Sequence, residues 1–334
     1  MRNEKPGIRR EGGGRRRGAA GPIRDARYET SGAPPSRRRT GARGWKTTTI
    51  RVPMVDSTEI VTVDVELDVN GVRLATRSMA PDSGAETSVT LVFLHEGLGS
   101  METWRRLPEE LVRATGLPAL LYDRRGYGRS DPLDEPWGRD YLHRYALDEL
   151  PGVLGACNVQ RPLLVGHSDG GTIALLYAAR FPTVGVVAEA AHVFVEEAAR
   201  AGIRRTIEAW RGGDLKPRLE RIHGDKTAQI FRSWSDTWLA PWFDSWNVEH
   251  ELAAIDCPVL LLQGDRDEYA TPQHLEIIAR GVGAPSRGVL LEGCGHAPHL
   301  QSRRPVFNEI LGFIAGLGEA KTGRMERWRS RSPH

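Results

Sequence analysis

Cysteine is scarce in this sequence: Cys157, Cys257 and Cys294 are the only three in 334 residues. An odd number with no framework spacing excludes a disulfide-stapled secreted fold. It points to a reducing compartment, here expected to be the cytoplasm. Long apolar runs are missing as well. No stretch of about 18 apolar residues occurs, so no membrane span is expected, and the N-terminal segment has no apolar core of a signal peptide. Neither HExxH nor a phosphate-binding glycine loop between a strand and a helix is present. No metal, nucleotide or other cofactor is therefore expected. Oligomeric state has no signature in the sequence.

The net charge of +3 conceals an uneven distribution. Residues 1–45 hold 13 Arg/Lys against 4 Asp/Glu, and residues 318–334 hold 5 against 2, which leaves 46–317 at −9. The N-terminal segment is rich in Gly, Pro and Arg and has no apolar periodicity. It is expected to be disordered because it cannot bury enough surface to offset its ordering entropy. A translation start at Met54 is an alternative to one at Met1. The arginines carry no interleaved aromatics and no recognised binding motif, so no nucleic-acid partner is expected. The tail, 318–334, is read the same way.

From residue 58 the pattern changes. VTVDVEL (61–67) and VRLATRSM (72–79) alternate as strands joined by the hairpin signal Asn70-Gly71. Short continuous apolar runs follow at 90–95, 118–123, 162–167, 184–190, 258–264 and 288–293. Strands apolar on both faces belong in a buried parallel sheet. Amphipathic segments lie between most of them, at 100–115, 139–157, 169–181, 272–281 and 301–316. This alternation predicts an α/β fold with a mostly parallel eight-stranded sheet flanked by helices. It breaks once, between 192 and 250, where helical patterns carry five of the nine tryptophans. That segment is expected to be a helical cap inserted after the sixth strand, with 46–191 and 251–317 forming the core. Pro241 should end the helix carrying Ile230, Trp234 and Trp238.

Gly166-His167-Ser168-Asp169-Gly170 fits the G-x-S-x-G pattern in the context it requires, a buried strand before and a helix after. The glycines leave room for a strained backbone at the serine. A serine hydroxyl needs a base to become a nucleophile. His296, in the loop after the final strand, is the candidate, with His299 its rival. The imidazole needs a carboxylate to hold its tautomer. GDRDEYATP offers Asp265, Asp267 and Glu268, of which Asp267 is chosen; Asp265 is assigned to the turn and Glu268 to solvent. Developing charge on an attacked carbonyl needs donors. These are expected from the backbone N–H of Asp169 and from the loop after 90–95, at Gly97 or, alternatively, Leu98. His95 is expected to brace that loop. His192, Glu196, Trp234 and Trp238 are candidates for the substrate pocket.

Taken together, HEGLGS with Trp104, DRRGYGRS (123–130), GHSDGG, GDRDEYATP and GCGHAPH resemble the α/β-hydrolase superfamily over about 58–316. The order Ser168, Asp267, His296 matches that superfamily's nucleophile–acid–histidine order. Asp123 and Gly126 to Ser130 are then structural. Glu96 departs from the glycine that many members carry after the histidine. The resemblance implies a serine hydrolase acting on a small-molecule substrate, with a small or medium carboxylic ester expected. Carbon–carbon hydrolysis of vinylogous diketones and cofactor-independent dioxygenation are alternatives on the same fold. A receptor-like binding protein with little turnover is the alternative from another class.

Overall fold

The computed structural model of the chain describes residues 59–84 and 88–329, with side chains of the last helix described to Leu317. The expectations for residues 1–45, for Met54 and for 330–334 lie outside the described residues.

Strands β1 (Ile60–Val69) and β2 (Val72–Pro81) form a hairpin. Asn70 and Gly71 both take positive φ, 54° and 79°, the geometry of a two-residue turn matched to strand twist. Asp68 Oδ1 accepts from Gly71 N–H at 2.9 Å. Six further strands follow: β3 (Val89–Leu94), β4 (Ala119–Tyr122), β5 (Arg161–His167), β6 (Gly185–Glu189), β7 (Val259–Gly264) and β8 (Ser286–Leu291). They build one eight-stranded sheet in the order β1-β2-β4-β3-β5-β6-β7-β8. β2 runs antiparallel to both neighbours, and every pairing from β4 to β8 is parallel.

Strand residues alternate between two cores. Val92, Leu94, Leu164, Val186 and Leu261 face one; Leu91, Phe93, Leu163, Val165, Val187 and Leu260 face the other. Both faces are buried, which is why these strands read as continuous apolar runs.

After β3 comes a short 3₁₀ turn, Met101–Trp104, and α1 (Leu107–Thr115). The expected helix at 139–157 is interrupted: α2 (Tyr141–Arg144) passes through a π-helical turn, Tyr145–Glu149, into α3 (Leu150–Ala156). Pro151 supplies the reason, since it has no N–H for the carbonyl four residues back. α4 (Asp169–Ala178) follows β5 directly. Between β6 and β7 stand α5 (Glu197–Gly212), α6 (Leu215–His223) and α7 (Thr227–Leu239). α7 stops two residues before Pro241. The remaining helices are α8 (Gln273–Gly281), α9 (Pro298–Gln301) and α10 (Arg303–Arg329).

Two expectations need correction here. The last strand ends at Leu291, and Gly293 takes a positive φ of 68° in the turn beyond it. The backbone of α10 continues to Arg329, into the tail expected to lack structure. The apolar stripe ends near Leu317, but 318–329 contains no proline, and its Arg, Glu, Met, Lys and Ala residues favour helix on either side of Gly318 and Gly323. Among the described residues no helix is long and apolar enough to cross a membrane.

The strand order reverses between β3 and β5, which places a crevice at their carboxyl ends. The loop after β3 (95–100) and Ser168 after β5 both open onto it.

Candidate active site

Ser168 sits at the corner between β5 and α4 with φ 54° and ψ −117°, a conformation L-residues rarely adopt. Its N–H donates to Glu189 O at 2.8 Å. A Cβ on Gly166 would stand 2.1 Å from Gly170 O, and one on Gly170 would stand 1.9 Å from Leu94 O. The corner can close only without those atoms.

The structure brings Ser168, Asp267 and His296 together from three loops. His296 Nε2 lies 2.9 Å from Ser168 Oγ, and His296 Nδ1 lies 2.8 Å from Asp267 Oδ1. A carboxylate only accepts, so Nδ1 carries the proton and the Nε2 lone pair faces the hydroxyl. Asp267 is fully buried and also accepts from Tyr269 N–H (2.8 Å) and Ala270 N–H (3.1 Å). Burial would raise its pKa, but the hydrogen bond and charge of His296 and the Tyr269 amide outweigh it and hold the carboxyl below its usual range. Glu268 is exposed, as read from the sequence, and it also accepts from His296 N–H at 2.9 Å, which fixes the backbone of the histidine loop. His299, the rival, is turned away: its Nδ1 pairs with the buried Glu189 at 2.9 Å.

The loop after β3 is held by its carbonyls. Glu96 O accepts from His95 Nδ1–H and from Arg124 Nη2, each at 2.8 Å. Gly97 O accepts from Tyr127 OH at 3.1 Å, and Leu98 O from His223 Nε2–H at 3.0 Å. Across a trans peptide the N–H opposes the carbonyl, so the Gly97 amide is aimed away from Arg124 and toward the crevice. Asp169 N–H belongs to the first turn of α4, whose amides have no intrahelical acceptor. The Glu96 carboxylate folds back over Gly99, where a Cβ would meet it at 2.2 Å. Its Oε2 lies 3.5 Å from His167 Nδ1. Burial opposes its ionisation, yet the His167 hydrogen bond and charge hold it well below the usual carboxylate range. His167 Nε2–H in turn donates to His296 O at 2.6 Å.

A cavity of about 110 Å³ adjoins Ser168 and His296, walled by Leu98, His192, Ile203, Trp234, Trp238 and Tyr269. His192 is among its walls, and its Nε2–H donates to Tyr269 O at 3.2 Å. Burial, then the neighbouring His274 and His296, push its pKa down to about 3, so it stays neutral. The Asp169 carboxylate lies on the same wall. It accepts from Tyr141 OH at 3.1 Å, and Tyr141 OH accepts from Trp238 Nε1–H at 2.8 Å. Burial raises its pKa.

Glu196 is not in this wall. Its carboxylate accepts from Thr271 N–H (2.7 Å), Thr271 OH (2.9 Å) and His274 Nε2 (3.0 Å). A buried carboxylate is consumed by such donors, so Glu196 braces the loop carrying Asp267 rather than facing substrate. Arg124 and Tyr269 were missed by sequence reasoning. Tyr269 alone had a signal, as an aromatic in the loop that carries the acid.

A larger cavity of about 270 Å³ opens between the β1–β2 turn, residues 133–137 and the π-helical turn. It contains none of the predicted site residues. Among the described residues no group of three or more His, Cys, Asp or Glu is placed to hold a metal ion.

Comparison with known proteins agrees with this architecture. Serine hydrolase BPHL of Mus musculus is 30% identical over 190 residues, spanning 54% of this chain and 64% of that protein, so the chain covers less than two thirds of that relative. The solved proline iminopeptidase of Mycobacterium smegmatis superposes with a TM-score of 0.59 at 19% identity, covering 78% of this chain and all of that one. A thermophilic esterase from Thermogutta terrifontis gives 0.57 at 19% identity over 76% of this chain and 99% of its own. At such identities the solved structures speak for the fold alone. The description alpha/beta hydrolase family matches residues 91–309, and the chain belongs to that family.

Proposed function

We propose that the protein is a serine hydrolase of small or medium carboxylic esters, with Ser168 as nucleophile, His296 as general base and acid, and Asp267 as the group that orients His296. The unbroken series Ser168 Oγ, His296 Nε2 (2.9 Å) and Nδ1, Asp267 Oδ1 (2.8 Å) carries the reading.

His296 takes the hydroxyl proton as Ser168 attacks the ester carbonyl. The negative charge on the carbonyl oxygen is received by the N–H groups of Gly97 and Asp169. His296 then protonates the leaving alcohol, and an acyl-enzyme remains on Ser168. Water, deprotonated by His296, attacks that ester, and Ser168 is released with its proton restored. The buried Asp267 keeps the Nδ1–H tautomer throughout and favours the imidazolium that forms. The cavity of about 110 Å³ suits a short acyl group. The Asp169 carboxylate on its wall favours an acyl group that offers a hydrogen-bond donor. We assign the cap to residues 192–250 and the site to the crevice beneath it.

A panel of p-nitrophenyl esters of increasing acyl length tests the assignment, with hydroxyacyl and aminoacyl esters, a proline amide and a vinylogous diketone as further arms. Turnover of esters, lost in Ser168→Ala together with labelling by a fluorophosphonate, is the expected result. A folded parent that neither labels nor turns over any arm refutes it in favour of a binding protein.

A further inference from the structure

We propose that Arg124 is a positioning residue for this reaction: its guanidinium orients and polarises the Glu96–Gly97 peptide so that the Gly97 N–H meets the oxyanion. The inference rests on the reading above.

Arg124 lies just beyond β4, after Asp123, and is completely buried. Among the described residues no carboxylate lies within ion-pair distance of it. Among charge influences on it, the largest come from Tyr127 and then from the Asp169 carboxylate. A cation in such a place is costly unless its donors are used. The donors that find partners find them on one loop, and Nη1 has none among the described residues. Nη2 donates to Glu96 O at 2.8 Å, while the backbone N–H and Nε–H converge on His95 Nε2 at 3.2 Å and 3.4 Å. The guanidinium lies 4.7 Å from the centre of the Tyr127 ring and 4.9 Å from that of Tyr145, which hold it in place.

His95 completes the arrangement. Burial, and then the Arg124 charge, keep its pKa well below the usual value, so the imidazole is neutral. Its Nε2 accepts from Arg124, which leaves the proton on Nδ1, and Nδ1–H donates to the same Glu96 oxygen at 2.8 Å. With the Gly99 N–H at 3.3 Å, three donors, one of them cationic, therefore share a single carbonyl. Hydrogen bonds to a peptide oxygen strengthen the donor on its other side. Behind the oxyanion donors lies a positive charge in a medium of low dielectric, where its attraction for an oxyanion is large. A purely structural cation would have been served by a carboxylate; this one is served by the loop.

Arg124→Gln and Arg124→Lys are compared with the parent on p-nitrophenyl acetate. The same proteins are inhibited with trifluoroacetone, whose hemiketal with a serine carries an oxyanion, and with acetone as a control that forms none. The glutamine keeps a donor and loses the charge. Its kcat is expected to fall about tenfold or more with KM within about twofold, and trifluoroacetone inhibition to weaken by the same factor while acetone is unaffected. Lysine, which keeps the charge, recovers most of the loss in both. Parental kcat and inhibition in a folded Gln variant overturn the inference, as does an equal change for both ketones. If the Gln variant does not fold, Arg124→Met takes its place, with the same loss expected in kcat and trifluoroacetone affinity and the same outcomes overturning the inference. A parent protein that is inert toward the ester and the fluorophosphonate overturns the hydrolase reading instead, before any variant is compared.

Discussion

Replacing Gly170 by alanine asks whether the serine corner is glycine-flanked for steric reasons. The added Cβ would stand 1.9 Å from Leu94 O and 2.5 Å from Leu94 C, whereas real contacts of this kind stay above 3.0 Å. Something must therefore move by about 1 Å. The obstacle is backbone within β3, which pairs with β5 from Val89 to Leu94, so no side chain can rotate out of the way. Overpacking against side chains costs about 1–3 kcal/mol; a backbone obstacle puts Gly170→Ala at about 3 kcal/mol or more. At roughly 2–4 °C per kcal/mol for a domain of this size, Tm falls by about 6–12 °C. The same shift displaces Ser168 from His296, and a 1 Å misplacement costs on the order of 10²-fold in rate. Gly155→Ala is the control. Gly155 lies in α3 with nothing within 4 Å of its would-be Cβ, so alanine there should stabilise by roughly 0.5–1 kcal/mol. Urea denaturation and p-nitrophenyl ester turnover of both variants supply the readings. A Gly170→Ala protein within about 0.5 kcal/mol of its parent, with its turnover intact, would refute the steric reasoning.

Three further outcomes follow from the site. Trp234, 8% exposed and packed beside Gly97, bounds the acyl cavity; Trp234→Ala should raise the kcat/KM ratio of longer to shorter acyl esters about tenfold, read from the same panel, at a cost of about 3 kcal/mol or more in stability. Glu196→Gln leaves one acceptor for three donors on Thr271 and His274. Its kcat should fall about tenfold with KM unchanged, because the loop carrying Asp267 loosens, and an altered KM with parental kcat contradicts a bracing role. Burial would lower the His299 pKa, but the charge and hydrogen bond of Glu189 raise it above the ordinary value of 6.5. A raised folded-state pKa contributes stability that is fully present below the unfolded value and lost as pH rises through the folded one. The stability gap between parent and Glu189→Gln should therefore be widest in acid and shrink with rising pH, and urea midpoints that diverge toward alkaline pH would contradict the pairing.

Much of this protein was legible in the chain because the determining interactions are local. Alternation at 61–67 and 72–79, Asn70-Gly71, and apolar runs bounded by Gly and Pro specify strands and turns through side-chain period and backbone freedom. Glycines spaced around Ser168 specify the corner for the same reason, since the backbone they must clear lies in adjoining strand and helix. The interruption of the helix at 145–149 was missed although Pro151 was in view, because a missing N–H does not say whether a helix ends or widens.

Partnerships of buried polar groups were not legible. Glu196 looked like a pocket residue, but its donors on Thr271 are supplied by a segment 75 residues away; Glu268 is exposed as read, and the His296 amide it accepts from lies 28 residues away. Arg124 read as one arginine among several in DRRGYGRS, and its use depends on a carbonyl 28 residues earlier. Secondary structure, fold class and the identity of the reactive residue types were determined by the sequence, through periodicity and sterics that act over a few residues. Which buried charge meets which donor was decided only by the tertiary structure, because desolvation forces a partner on every such group and the fold alone determines which one lies within reach.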